Sequence, residues 1–178
     1  MDIEVEIRSF ISEEKYDELI NFFNKEGEFI NEDYQETYYF DSKEDLRIQR
    51  NNFFSKIWLK KGKIHDEHRE EIEIKFNKED FEKLEEIFIL AGLNVQIKWF
   101  RKRHTFKWQG IHAMVDYTKG YGYILELEKM SNEQEKSETL DLLKKKLEIL
   151  GITLTPKEEF DKKFENYKTN WKELIKFQ

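Results

Sequence analysis

The sequence predicts an α+β fold in which antiparallel strands dominate and amphipathic helices cover the sheet. At least five segments alternate charged and aliphatic side chains with the period of two that a half-buried strand requires. Further segments carry apolar residues at helical spacing and are bounded by glycines or capping residues. The 178 residues fit one domain, which we expect to span positions 1–178.

The composition narrows the possible functions. Charged residues make up 39% of the chain, yet an aromatic share of 15% supplies enough rings for a core. A net charge of −7 argues against a nucleic-acid-binding protein, which should be basic. The chain has no cysteine, which suits a reducing compartment, and no apolar run of membrane-spanning length. We therefore expect a cytoplasmic protein that binds neither nucleic acid nor membrane.

The first strand, predicted over residues 1–8, sets the pattern for the chain. Glu4, Glu6 and Arg8 fall on one face, and aliphatic side chains fall on the other. Neighbouring like charges cost roughly 0.2–1 kcal/mol, and a divalent cation between the two carboxylates would remove that cost. For this strand alone, a charged face in contact with water is the alternative.

The remaining elements are predicted from alternating residues, from apolar residues at helical spacing, and from the turn and capping residues that bound them. A helix is predicted from Ser12 to Gly27, because Tyr16, Leu19 and Phe23 share one face. Alternating residues between polar turns then predict strands over 35–41, 46–50, 55–61 and 69–76. A helix follows from Asn77 to Gly92, and strands from 95–108, 111–117 and 123–130.

Two helices complete the predicted order. A leucine stripe predicts a helix that ends at Gly151. Thr155 followed by Pro156 predicts the start of another, with Thr155 as the cap, and its apolar stripe contains Phe160, Phe164 and Tyr167.

Charged faces recur along the predicted strands. The sets are Glu4/Glu6/Arg8, Lys56/Lys60, Arg69/Glu71/Glu73/Lys75, Arg101/Arg103 and Glu126/Glu128. A flat sheet could expose them to water, or a barrel could enclose them with its helices outside. Enclosed charges must be paired, hydrated or bound to ions. Carboxylates hold Mg²⁺ or Mn²⁺ and basic side chains hold phosphate oxygens, so the barrel predicts a phosphate ligand. The pattern alone leaves both architectures open.

The order of short motifs resembles the CYTH, or triphosphate tunnel metalloenzyme, superfamily. EVEIR near the N-terminus is similar to its E-x-E-x-K signature, and YYFD followed by LRIQ is similar to Y-F-D and L-R-I-R. WLKKG, REEIEI, RKRHTF and VDYTKGYGYILELE follow in the family's order. The resemblance implies an antiparallel eight-stranded β-barrel, a tunnel with a charged interior and helices packed outside.

The same resemblance implies a role for each charged position. The implied metal ligands are Glu4, Glu6, Asp116, Glu126 and Glu128, with Mg²⁺ or Mn²⁺ as the cofactor. The implied triphosphate ligands are Arg8, Arg47, Lys60, Arg101 and Arg103. Glu71 and Glu73 look like the central acidic pair, which would orient water or hold a second metal. The chain departs from the family pattern at Arg8, where the signature has lysine, and at Gln49, where an arginine is expected.

The implied function is a divalent-metal-dependent enzyme acting on inorganic triphosphate, thiamine triphosphate or a nucleoside triphosphate. We favour a phosphohydrolase, because no nucleotide-specific feature is visible in the sequence. The alternatives are a class IV-type adenylyl cyclase that makes cyclic AMP and pyrophosphate from ATP, a non-catalytic polyphosphate- or nucleotide-binding module, and a purely structural domain. A homodimer would suit a small barrel. His65 and His68 are expected in an exposed loop, and His104 and His112 are expected to be structural.

Overall fold

The computed structural model describes residues 3–61 and 71–176. Its elements, in chain order, are β1 (Ile3–Ile11), α1 (Glu13–Glu26), β2 (Glu28–Phe40), β3 (Asp45–Arg50), β4 (Ser55–Lys60), β5 (Glu71–Phe76), a 3₁₀ turn (Lys78–Asp80), α2 (Phe81–Leu90), β6 (Val95–Trp108), β7 (Ile111–Thr118), β8 (Gly122–Ser131), α3 (Lys136–Ile149) and α4 (Lys157–Leu174). Arg69 and the predicted loop with His65 and His68 lie outside the described residues.

The strands form one antiparallel sheet in the order β1-β8-β7-β6-β2-β3-β4-β5. Strands β1 and β5 are its edges, and no backbone ladder joins them in the described part of the chain. The sheet nevertheless curls until Glu4 on β1 and Glu71 on β5 line the same cavity. The predicted eight-stranded tunnel with a charged interior is therefore confirmed, with its edges facing each other rather than hydrogen-bonded.

The register between neighbouring strands places their charged residues opposite each other around the tunnel. Arg8 lies opposite Glu126 and Glu6 opposite Glu128 between β1 and β8. Arg103 lies opposite Asp116 between β6 and β7. Because successive side chains of a strand point to opposite faces, this register directs described members of each predicted charged set to the inner face.

Three helices cover the outer face of the sheet. Phe23 of α1 and Leu143 of α3 pack in one buried cluster with Phe106 and Leu125 of the sheet. Phe81, at the start of α2, packs in a second cluster with Tyr38, Phe40 and Ile48. Each fully buried large apolar side chain contributes roughly 1.5–3 kcal/mol, so the two clusters explain why the aliphatic faces turn outward toward the helices.

Helix α4 packs differently from the other three. Its buried stripe, Phe160, Phe164, Tyr167 and Trp171, forms a cluster with Ile97, Trp99, Tyr121 and Ile124. Trp99 and Ile124 share the inward face with the charged residues. The Tyr167 hydroxyl donates to the carbonyl of Lys98 at 3.0 Å, and the Trp171 indole donates to that of Gln96 at 2.7 Å. Helix α4 therefore lines one part of the tunnel.

The structure corrects the predicted start of α4. Thr155 does not cap the helix, whose N-cap residue is Pro156 and has no side-chain cap bond. The Thr155 hydroxyl instead accepts from the backbone N–H of Phe10 at 3.0 Å, and its own N–H donates to the Ser9 hydroxyl at 3.1 Å. These bonds fix the N-terminal end of α4 to β1, a long-range contact that the local sequence could not reveal.

Two strand boundaries differ from the prediction by three residues or more. Strand β1 continues to Ile11, because Phe10 and Ile11 pair with Ile124 and Tyr123 of β8. Strand β2 begins at Glu28, because it pairs with β6 along most of its length, with two register shifts.

Candidate active site in the tunnel

The inner face of the sheet surrounds a cavity of about 380 Å³. Every predicted site residue except Asp116 lines it: Glu4, Glu6, Arg8, Arg47, Lys60, Glu71, Glu73, Arg101, Arg103, Glu126 and Glu128. Alternation within each strand and the register between strands bring these side chains together from six of the eight strands. The volume lies within the range of small-molecule sites.

Carboxylates crowd one side of the cavity. Glu4, Glu6 and Glu128, which we call the acidic wall, project from β1 and β8, with Glu6 directly opposite Glu128. Burial, followed by repulsion from Glu126, raises the pKa of Glu128 to about 7. Burial and then Glu128 raise the pKa of Glu4, and burial and then Glu126 raise that of Glu6. The acidic wall thus holds more negative charge than its neighbours compensate.

The charge on β5 reaches the acidic wall across the open seam. Besides burial and the β8 carboxylates, Lys60 lowers the pKa of Glu4 and Glu71 raises it. Glu71 itself pairs with Lys60 at 2.7 Å, and Glu73 pairs with Lys56 at the same distance. The predicted central acidic pair therefore lies on a hairpin, β4–β5, in which each carboxylate has a lysine partner.

Arg103 is the best-paired charge of the cavity. Its Nε donates to Asp116 Oδ1 at 2.8 Å, and its Nη2 donates to Asp116 Oδ2 at 2.6 Å and to Glu126 Oε1 at 3.1 Å. Burial opposes the charge of Arg103, but Asp116 and Glu126 outweigh it and raise its pKa. Burial would likewise raise the pKa of Glu126, yet Arg103, followed by Arg8 and Arg101, lowers it. The Arg103–Asp116–Glu126 group, the paired cluster, is thus internally neutralised apart from one negative charge.

Arg101 is held by a neutral group. Its Nε and Nη2 donate to the Gln35 side-chain oxygen at 2.8 and 2.5 Å. Its Nη1 forms a longer hydrogen bond, of 3.3 Å, with Asp116. Burial and then Arg103 lower the pKa of Arg101. Its positive charge is consequently less compensated than that of Arg103.

The other predicted basic ligands are anchored within the cavity. Arg47 pairs with Asp45 through two hydrogen bonds, and its guanidinium carbon lies 4.2 Å from the centre of the Tyr39 ring. Arg8 lies 3.2 Å from Glu6, on its own strand. Asp116 does not line the cavity; it is 2% exposed and lies behind the two β6 arginines. Its predicted role as a metal ligand stays a prediction.

The donor set suits a hard divalent cation, because carboxylate oxygens are the ligands that Mg²⁺ and Mn²⁺ prefer. Among residues 3–61 and 71–176, no three acidic or histidine side chains are gathered closely enough to ligate one ion. The acidic wall is therefore a crowded, like-charged group rather than a formed metal cage, and a cation would relieve its repulsion.

Several cavity residues were not predicted from the sequence. Gln35 and Tyr39 line the tunnel from β2, where the available signal was that polar Asp33 and Thr37 share their face of the strand. Phe160 and Phe164 line it from α4, and no local pattern shows that a helix reaches the inside of a barrel.

Comparison with known proteins agrees with this architecture. The family model of the CYTH domain matches residues 2–165. The chain belongs to the CYTH family. The motif-based resemblance is thereby confirmed.

The chain is similar to proteins from other organisms, two of which share more than a quarter of its residues over the matched region. A Methanocaldococcus jannaschii protein, named as a candidate adenylate cyclase, is 35% identical over 166 residues, which cover 85% of this chain and 91% of that protein. A conserved hypothetical protein from Pyrococcus furiosus superposes with a TM-score of 0.70 at 28% identity, covering 84% of this chain and 91% of that one.

A more distant structure shares the fold. It is a Hippeastrum protein described as a candidate adenylyl cyclase that reveals a dominant triphosphatase activity. Its TM-score is 0.64 at 19% identity, covering 89% of this chain and 94% of that one.

No helix within the described residues is both long and apolar enough to cross a membrane.

Proposed function

We propose that this CYTH protein is a divalent-metal-dependent triphosphatase whose substrate is inorganic triphosphate or an organic triphosphate. One observation carries the proposal: an under-compensated acidic wall and a set of partly buried arginines line the same cavity. A cation and a phosphate chain bound together would neutralise both.

The basic residues account for binding of the phosphate chain. Arg8, Arg47, Lys60, Arg101 and Arg103 present guanidinium and ammonium donors to the cavity. Such donors form charge-assisted hydrogen bonds with phosphate oxygens, and guanidinium groups can form two at once. Phosphoryl transfer depends mainly on positioning and on stabilisation of the developing charge, which these side chains can provide.

The acidic wall accounts for the cation. Glu4, Glu6 and Glu128, with Glu126 beside them, would hold Mg²⁺ or Mn²⁺. When bound, the ion would supply charge neutralisation and a more acidic water. Without it, these carboxylates would repel the phosphate chain.

Glu71 and Glu73 would act on water from the β4–β5 hairpin. Burial opposes ionisation of Glu73, but Lys56 and Lys75 lower its pKa. An ionised carboxylate accepts hydrogen bonds only, so it can orient a water molecule and take up its proton. In this proposal the lysine partners also keep the pair pointed into the cavity.

A second candidate is adenylyl cyclisation of ATP. The name of the 35%-identical M. jannaschii relative favours it, whereas the description of the Hippeastrum protein favours triphosphatase activity. The tunnel aromatics could in principle contact a base, but Trp99 and Tyr121 are 9% and 4% exposed, with ring centres 4.5 Å apart. Because these rings are already packed together, we favour hydrolysis.

A turnover panel tests the proposal. Purified protein is incubated with tripolyphosphate, thiamine triphosphate or ATP, each with Mg²⁺ or Mn²⁺, and phosphate, pyrophosphate and cyclic AMP are resolved. We expect phosphate without cyclic AMP, loss of turnover with a chelator, and loss in Glu128→Gln but not in Glu86→Gln, an exposed matched control. Cyclic AMP with pyrophosphate would instead establish the cyclase, and binding of tripolyphosphate without any product would establish a binding module.

A further inference from the structure

The two arginines of β6 are held by different chemistry, although they are neighbours on one face. Arg103 forms three hydrogen bonds with the carboxylates of Asp116 and Glu126. Arg101 gives its two shortest hydrogen bonds to the amide oxygen of Gln35. A carboxylate neutralises the arginine it orients, whereas an amide orients an arginine and leaves its charge intact.

Gln35 is itself fixed by a buried carboxylate. Its Nε2 donates to Asp33 Oδ2 at 3.0 Å, and Asp33 Oδ1 accepts from the backbone N–H of Asn52 at 2.9 Å. Asp33 is 5% exposed. Because an ionised carboxylate can only accept, Asp33 forces the Gln35 amide to direct its nitrogen toward Asp33 and its oxygen toward Arg101.

We call the hydrogen-bonded series Asp33–Gln35–Arg101 the relay. The fold places it at the wall of the tunnel. In the ladder between β2 and β6, Gln35 lies directly opposite Arg101. Gln35 and Arg101 both line the cavity, whereas Asp33 does not. The remaining contact of Arg101, with Asp116, is 3.3 Å long, and Asp116 makes its shorter bonds to Arg103.

We propose that Gln35 is a positioning residue that, oriented by Asp33, holds Arg101 as a phosphate-binding arginine of the tunnel. Arg103 is then committed to the carboxylates, and its main task is to hold Glu126 and Asp116. This inference rests on the proposed triphosphate ligand, but not on turnover.

Two substitutions separate the relay from simple electrostatics. Gln35→Glu places a carboxylate against Arg101 and neutralises it. Asp33→Asn removes a negative charge, which by electrostatics alone would tighten the binding of an anion. The relay requires the opposite result, because the backbone N–H of Asn52 cannot turn. The asparagine therefore keeps its oxygen on that donor and directs its NH₂ toward Gln35 Nε2. If Gln35 turns its amide to avoid that clash, it presents NH₂ to Arg101.

The experiment is a calorimetric titration of the full chain with tripolyphosphate, run both in the presence of a chelator and in the presence of Mg²⁺. We expect Gln35→Glu and Asp33→Asn each to weaken binding, by about tenfold or more for Gln35→Glu, on the scale of hydrogen bonds to charged groups. Gln96→Glu, the same charge change at an exposed position on β6, should bind like the wild type. Gln35→Met, which removes the acceptor without adding charge, provides a second variant should Asp33→Asn fail to fold in a melting scan.

The outcomes are distinguishable. Wild-type affinity in Gln35→Glu and Gln35→Met, or tighter binding by folded Asp33→Asn, would overturn the relay while leaving the triphosphatase proposal standing. Absence of tripolyphosphate binding by the wild type, with metal or without, would contradict the proposed function itself. Weakened binding in Gln35→Glu, Gln35→Met and any folded Asp33→Asn would support the relay even if the wild type turns over no substrate.

Discussion

The acidic wall and the paired cluster lie on the same inner face of the sheet. In the paired cluster the carboxylates contact an arginine, whereas in the acidic wall they face other carboxylates. In the paired cluster, Arg103 bonds to Asp116 and Glu126, and the pKa of Glu126 is lowered despite its burial. In the acidic wall, Glu6 lies opposite Glu128, and burial and neighbouring carboxylates raise both pKa values. The first arrangement holds the sheet together, and the second retains unfavourable free energy that a ligand can release.

This contrast separates structural charges from functional ones. Buried ion pairs satisfied on both sides are part of the fold, and breaking one leaves an uncompensated charge. Carboxylates whose pKa is raised in a cavity are typical of functional sites. Removing a charge from each region should therefore change stability in opposite directions.

The largest expected effect comes from breaking the paired cluster. Asp116→Ala removes the buried carboxylate and leaves partly buried Arg103 with only Glu126, so we expect the free energy of unfolding to fall by about 3–5 kcal/mol. Denaturant unfolding measures it. Glu86→Ala, an exposed acidic control on α2, should stay within about 0.5 kcal/mol of the wild type. An Asp116→Ala protein as stable as the control would show that the cluster is not structural.

A smaller effect of the opposite sign is expected in the acidic wall. Glu128→Gln removes one of the repelling carboxylates and keeps the side-chain shape. We expect the metal-free protein to gain up to about 1 kcal/mol, the scale of like-charge pairs across strands. Its melting temperature in a chelator should exceed that of the wild type; a lower one would mean that Glu128 is already compensated.

The smallest expected effect is the pH dependence of the difference in stability between the wild type and Glu128→Gln. The folded-state pKa of Glu128, about 7, lies above the ordinary value of 4.5, so between these values the folded chain binds the extra proton. Stability should therefore fall as pH rises through this window and level off above it. Melting scans in a chelator should show a steeper fall for the wild type than for Glu128→Gln. Parallel curves would rule out Glu128 as the titrating group.

The sequence was sufficient to predict which strand face carries each charged side chain, but not which charged side chains pair with each other. Alternation in β1, β4, β5, β6 and β8 placed Glu4, Lys60, Glu73, Arg101 and Glu128 on one side, because a strand has a fixed period of two. Whether a carboxylate meets an arginine depends on the register of distant strands. Arg101 and Gln35 are 66 positions apart, and Arg103 and Glu126 are 23 apart. Nothing local distinguishes Glu126, which pairs with Arg103 at 3.1 Å, from Glu128, which lies 3.6 Å from His112.

Helix α4 shows the same limit. Its apolar stripe of Phe160, Phe164 and Tyr167 predicted a buried face, and the structure buries it. The stripe does not encode which side of the sheet it contacts, because inward-facing Trp99 and Ile124 look like any other core residues in the sequence. The hydrogen bonds of Thr155 with Phe10 and Ser9, which direct α4 toward the tunnel, join residues 145 and 146 positions apart.

The central claim is that the acidic wall is a cation site rather than a merely hydrated surface. Calorimetric titration of the metal-free protein with Mn²⁺, in the wild type and in Glu128→Gln, tests it most directly. We predict saturable binding by the wild type and an affinity at least tenfold weaker in Glu128→Gln, since even residues behind a metal ligand contribute about 10–100-fold. Equal affinities in the two proteins, or no Mn²⁺ binding by the wild type with or without tripolyphosphate, would contradict the account.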